Sequence, residues 1–133
     1  MYVVDTNVLS EARRGSTEAR AWLRSVEPDS IFLSVVSLGE IMKGVALKQR
    51  TDPRTAASLL NWLERLRHEH ADRILPITDR IALEWGRLAA ARPRGVADGL
   101  IAATALVHSK IVVTRNSSDF EDTSVPVINP WRP

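Results

Sequence analysis

Apolar residues recur in two rhythms along this chain, and the switching between them predicts its architecture. Tyr2-Val3-Val4, Ile31-Phe32-Leu33 and Ile111-Val112-Val113-Thr114 are short β-branched or aliphatic runs of the kind that form buried strands. A further strand is expected at 73–77, weakened by Pro76, and a last one at 125–127. Between them the apolar spacing lengthens to three or four residues. Helices are therefore expected at 17–26, 34–48, Asp79–Ala91 and 97–108, with another starting at Asp52-Pro53. Thr6 and Asn7 can start a helical turn that Gly15 stops. Strands alternating with helices imply an α/β fold, a mostly parallel sheet with helices on both faces. With no internal repeat, low-complexity segment or linker, residues 1–133 are expected to form a single domain.

Composition narrows the setting. At 133 residues, with 44% hydrophobic content, the chain suits one core. No apolar run reaches the length of a membrane span, and the start MYVVDTNVLS has neither a basic head nor a long apolar stretch. No signal peptide is expected, and the location expected is the cytoplasm. The absence of cysteine excludes disulfides, thiolate zinc sites and a cysteine nucleophile. The net charge is only +2, but 15 of the 18 bases are arginine. Arginine suits bidentate phosphate contacts, although genomic base composition would produce the same bias.

The candidate chemistry lies in the acids. In sheets of this type ligands bind beyond the carboxyl ends of the strands. Asp5 closes the first strand, and Thr114-Arg115-Asn116 closes the fourth, with Asp119 three residues later. Glu40 and Asp98 each interrupt an apolar helical stretch. Isolated carboxylates are costly to desolvate, and several converging ones repel each other unless a cation sits between them. Mg²⁺, a hard cation that binds a few carboxylates and keeps several waters, resolves that conflict and can activate water against a phosphate. Plainer readings exist for each acid: Asp5 and Asp98 as helix caps, Glu40 paired with an arginine, Asp119 as a turn residue.

Taken together, the segments Val4-Asp5-Thr6-Asn7-Val8-Leu9, Ser37-Leu38-Gly39-Glu40-Ile41 and 97–105 resemble the PIN domains. So do Val113-Thr114-Arg115-Asn116 with Asp119-Phe120, while Val127-Ile128-Asn129-Pro130-Trp131 resembles the FitB-like subgroup of VapC-type toxins. The resemblance runs along essentially the whole chain. It implies a PIN-like sheet with an acidic pocket at the strand ends, and an Mg²⁺-dependent endoribonuclease in which Mn²⁺ can substitute. It also implies a type II toxin restrained by a cognate antitoxin, working as a homodimer within a larger toxin–antitoxin complex. By position Asp5, Glu40 and Asp98 match the family's acidic triad and its metal ligands. The fourth acidic position departs from the pattern: related sequences carry Asp after Thr-Arg, and here Asn116 stands there, with Asp119 as a possible substitute. Thr6 and Thr114 resemble hydroxyl residues lining such pockets.

Two other classes compete with the nuclease. A receiver-like signalling domain would use Asp79 as phosphoacceptor and Thr114 as switch hydroxyl, but the first strand ends in one acid rather than a pair. A non-catalytic binding module would treat the acids as caps. Trp22, Trp62 and Trp85 share helical faces with Leu and Ile, so packing explains them better than base stacking. The faces bearing Leu59, Trp62 and Leu63, or Trp22 and Leu23, are expected to supply an interface. His68, His70 and His108 lack metal-ligand spacing, and Arg13, Arg14, Arg92, Arg94 and Arg115 are expected to flank the pocket.

Overall fold

The computed structural model describes residues 1–132. Five strands form one sheet: β1 (Tyr2–Val4), β2 (Ile31–Ser34), β3 (Ile74–Leu75), β4 (Ile111–Val113) and β5 (Val127–Ile128). Their spatial order is β3-β2-β1-β4-β5 and every pairing is parallel. The helices are α1 (Thr6–Arg13), α2 (Thr17–Ser25), α3 (Val35–Gln49), α4 (Pro53–Glu69), α5 (Asp79–Ala91) and α6 (Val96–Val107).

Alternation along the central strands divides the core in two. Val3 and Val112 point into a cluster with Ile81, Leu88, Ile101 and Phe120 from the α5–α6 side. Val4 and Val113, one residue on, point to the opposite face among Val8, Leu9, Ile41, Leu63 and Leu66. Each fully buried aliphatic side chain contributes about 1.5–3 kcal/mol, so this two-sided burial fixes the register of the middle strands. A slip by one residue would exchange the two faces.

Local chemistry sets the boundaries. Ser34, Asp52 and Thr78 cap α3, α4 and α5 through side-chain oxygens that accept from Val36, Thr55 and Ile81 N–H groups. Gly15 adopts φ 104°, a left-handed turn that lets the chain reverse between α1 and α2. The third strand is shorter than expected, because Pro76 has no N–H to continue the ladder. The last strand starts two residues later than the expected 125–127 and ends one residue beyond it. Ser124 takes a left-handed φ of 66°, the Val125 N–H goes to Thr123 Oγ1, and strand pairing starts only where Val112 N–H reaches the Pro126 carbonyl.

Of the faces expected to supply an interface, Leu59 and Trp62 stay half-buried and line an apolar cleft, while the others turn inward. Leu63 is buried at 2% exposure, Trp22 and Leu23 pack onto the core, and Trp22 meets Tyr2 edge-on at 5.0 Å. The large apolar side chains that remain exposed are Met1, Met42, Leu47, Leu83 and Val96. No described helix is long and apolar enough to cross a membrane.

Candidate active site

The order of the strands places the site. The chain leaves β1 toward β2 on one side, and β4 joins β1 on the other, so the connections diverge between β1 and β4. A crevice opens at such a switch point beyond the carboxyl ends of the strands. Asp5 follows the last residue of β1, its N–H donating to the Val113 carbonyl at 2.8 Å, and Thr114 follows β4. Both side chains are buried.

Asp5 is held by three donors. Thr6 N–H donates to Oδ1 at 2.7 Å, while the Thr114 hydroxyl at 2.8 Å and the Asn7 amide at 3.1 Å donate to Oδ2. Asn7 ties these parts together. Its Nδ2 also donates to Thr114 Oγ1 at 3.3 Å, and its Oδ1 accepts the Arg115 N–H at 3.1 Å. Asp5 therefore does cap α1, but its second oxygen is engaged across the β1–β4 junction. Burial, with smaller contributions from the nearby Asp98 and Glu40 charges, pushes its carboxyl up to about 6 against the lowering bonds from Thr114 and Thr6.

Glu40 differs from its sequence expectation. It lies mid-helix in α3, yet it is exposed on the rim of the cleft instead of buried among apolar neighbours. The Thr6 hydroxyl donates to its Oε1 at 2.6 Å and lies 2.8 Å from the Ser37 hydroxyl. Asp98 is half-buried in the first turn of α6; Gly95 occupies the cap position, so capping is not its role. Its carboxyl is raised by burial, then by Asp119 and Glu40.

Asp5, Thr6, Asn7, Ser10, Glu40, Asp98 and Asn116 line one open cleft of about 300 Å³, with Arg14 at its edge. Three acids from three elements thus line one cleft together with Asn116. Asp119 is not among the residues that line this cleft, but its carboxyl neighbours that of Asp98. It sits in a 3₁₀ turn, Ser117–Phe120, anchored by the buried Phe120 ring. Of the two candidates for the fourth position, Asn116 lines the cleft and Asp119 neighbours Asp98.

Of the five flanking arginines, Arg14 lines the acidic cleft and Arg115 lines a neighbouring one. Arg13 bonds Ser58 and lies over the Trp62 ring, whereas Arg92 and Arg94 pair with Asp122. Those three are structural. His70 and His108 end α4 and α6. Asp79 is exposed at the start of α5, beyond the edge strand β3, and accepts the Arg80 N–H, so no receiver-like pocket forms around it.

Reasoning from sequence missed Asn7 and Ser37. Asn7 resembles an ordinary helix starter, and only its position two residues after a strand-terminal acid hints at a second duty. The donor set suits a hard divalent cation: oxygen ligands, mutual repulsion and a carboxyl destabilised by its neighbours. Among the described residues no three acids or histidines lie close enough together to form a ready-made metal cage.

A parallel α/β domain with converging acids at its switch point is the class that fold and site define. Residues 2–126 match the family model of the PIN domain, and the chain belongs to that family. It is 35% identical to the FitB toxin of Neisseria gonorrhoeae, the alignment covering 98% of this chain and 99% of that protein. It is 33% identical to the VapC ribonuclease Y4jK of Sinorhizobium fredii, over 100% and 99% of the two chains. The crystal structure of FitAcB from Neisseria gonorrhoeae superposes with a TM-score of 0.91 at 33% identity, both chains fully covered.

Proposed function

We propose that this chain is the toxin of a type II toxin–antitoxin pair, a divalent-metal-dependent endoribonuclease that hydrolyses RNA phosphodiester bonds and is restrained by a cognate antitoxin. The observation that carries this reading is the convergence of Asp5, Glu40 and Asp98 on one cleft at the β1–β4 switch point, where burial and its acidic neighbours raise Asp5. The relatives named a toxin and a ribonuclease support it.

In this reading Asp5, Glu40 and Asp98 are the ligands of Mg²⁺, with Mn²⁺ as substitute, and Asn116 and Asp119 serve the fourth position. When bound, such an ion supplies a Lewis acid for the phosphate and lowers the pKa of a water. The chain's own contribution is positional. Thr114 and Asn7 hold Asp5 in one orientation, and Thr6 fixes Glu40 against α1. Asn116 offers an amide that can orient water without adding charge. Arg14, at the rim, offers a cation to a neighbouring RNA phosphate.

The antitoxin has a place beside this site. An apolar cleft of about 290 Å³, lined by Ile41, Leu47, Leu59 and Trp62, shares Thr6, Arg14 and Glu40 with the acidic one. An apolar antitoxin segment seated there would obstruct the acids. A cytoplasmic homodimer completes the reading, with exposed Leu83 between Arg80, Glu84 and Arg87 on α5 as the apolar centre of the contact.

The test is RNA cleavage by purified protein with and without Mg²⁺, beside Asp98→Asn. That exchange keeps the shape of the side chain and removes its charge. Metal-dependent cleavage that falls by at least about a hundredfold in a folded variant is expected, since even indirect partners of a metal are worth 10–100-fold. Wild-type turnover by Asp98→Asn would overturn the assignment.

A further inference from the structure

A second polar cleft of about 390 Å³ adjoins the acidic one, and Asn116 lines both. Its floor is an unusual pair. The guanidinium carbon of Arg115 lies 4.8 Å from the centroid of the Trp131 ring. The Arg115 side chain is 52% exposed, whereas Trp131 is half-buried with its ring packed against the core on the α1–α4 side of the sheet.

The backbone around this pair is fixed at both ends. Arg115 N–H donates to Asn7 Oδ1 at 3.1 Å, and the Arg115 carbonyl accepts Asn129 Nδ2 at 3.0 Å. Asn129 Oδ1 in turn accepts the Trp131 N–H at 2.9 Å. Asn7 holds Asp5, so the platform and the acidic cleft are built on the same side chain. Among the described residues Arg115 makes one ion pair, a long one to Glu11 at 3.7 Å, and its side chain stays exposed to a ligand.

We propose that this cleft is a base-stacking subsite: an unpaired nucleotide next to the cleaved bond lays its base on the Arg115 guanidinium, which Trp131 holds flat from below. The inference rests on the ribonuclease reading and names what kind of RNA that site takes. Sequence-tolerant recognition of single-stranded RNA uses aromatic rings and arginine planes on which splayed bases stack. An arginine already ordered by a ring beneath it loses little freedom on binding, which favours affinity. Arg115 also places a cation beside a cluster of acids that would otherwise repel the RNA backbone. A base within a duplex cannot reach such a platform, so the substrate is single-stranded at this nucleotide.

Arg115→Lys separates stacking from simple charge attraction, because lysine keeps the charge and lacks the plane. The experiment measures steady-state cleavage of a labelled single-stranded RNA in saturating Mg²⁺ by wild type, Arg115→Lys and Arg115→Ala. It is repeated on substrates in which each nucleotide flanking the cut is made abasic in turn. Both variants are expected to raise KM about tenfold with kcat nearly unchanged and the melting temperature preserved. One abasic position should raise KM for wild type and have no effect in either variant. Should Arg115→Lys match wild type, or should the abasic penalty persist in the variants, the subsite is overturned although the ribonuclease reading stands. Weakened antitoxin binding by Arg115→Lys with unchanged KM would assign the platform to the protein partner and equally overturn it. Absence of RNA cleavage by wild type would instead overturn the ribonuclease reading, and the subsite with it.

Discussion

Arg94 holds the Asp122 carboxylate with both Nη atoms, Nη2 at 2.6 Å and Nη1 at 3.3 Å, although only 2% of the arginine side chain is exposed. The same guanidinium donates to the Leu88 carbonyl of α5 at 3.1 Å and to the Asp119 carbonyl at 3.3 Å. One buried cation thereby ties the end of α5 to the turn that carries Asp119 beside Asp98.

Arg94→Ala strands two carbonyls, while Asp122 keeps its ion pair with Arg92. Orphaned buried partners cost about 1–3 kcal/mol each, and Asp122 is open enough to recover water. A total loss of about 3 kcal/mol is expected in urea unfolding. Arg94→Lys, with one ammonium in place of a fork, should recover less than half of it. A loss below about 0.5 kcal/mol would show that the clamp is superfluous.

Gly99 follows Asp98, and the close approach of α5 requires it. A Cβ there would lie 2.9 Å from Trp85 Cδ1 and 3.1 Å from its Nε1, with Arg94 Cδ at 3.3 Å. Among the described residues the buried indole N–H of Trp85 has no hydrogen-bond partner, so packing sets the place of the ring. Gly99→Ala is expected to cost about 1–3 kcal/mol through overpacking and to weaken Mg²⁺ binding by displacing Asp98. Calorimetric metal titration and urea unfolding check the two effects separately.

The fourth position can be apportioned by charge count. An added anion near a divalent ion is attractive, most of all in a poorly hydrated cleft. Asn116→Asp is expected to lower the Mg²⁺ concentration for half-maximal cleavage, and Asp119→Ala to raise it. Asn116 lines the cleft and Asp119 does not, so the Asn116 exchange should give the larger shift. An unchanged titration with Asp119→Ala would reduce Asp119 to a turn residue.

Proton linkage follows from Asp5. Its carboxyl rises from 3.8 to about 6 on folding, so the folded state binds the proton more tightly. The stability this adds is complete below pH 3.8 and is lost as pH climbs through 6, for a total of about 3 kcal/mol. Without divalent ions, stability should therefore fall between pH 4 and 6, and Asp5→Asn should flatten that slope. Cations compete for the same carboxylate, so Mg²⁺ affinity should weaken as pH drops below 6. Affinity independent of pH from 5 to 7 would remove Asp5 from the ligands.

The alternation of strand and helix was written in the spacing of apolar residues, a local property, and the structure reproduces it from Tyr2 to Ile128 with shifts at the two short outer strands. Asp5, Glu40, Asp98, Asn116 and Asp119 were all visible as residues of interest, because polar residues just beyond strand ends and acids within apolar helices stand out in one dimension. Which of them meet was decided elsewhere. Thr114 reaches Asp5 across 109 positions only because β4 lies beside β1 and not beyond β3. Strand order of that kind is a property of the whole packed sheet, since each helix must find a face to cover, and no local window encodes it. The same holds for Glu40, which sits among apolar neighbours in sequence and on an exposed rim in space, because α3 turns that side toward the cleft. Asn7 as a bracket, Arg94 as a clamp and Arg115 laid on Trp131 are contacts between segments distant in the chain. Polar side chains of this kind satisfy their hydrogen bonds with whatever the fold brings near them, so their duties emerge only once the sheet has closed.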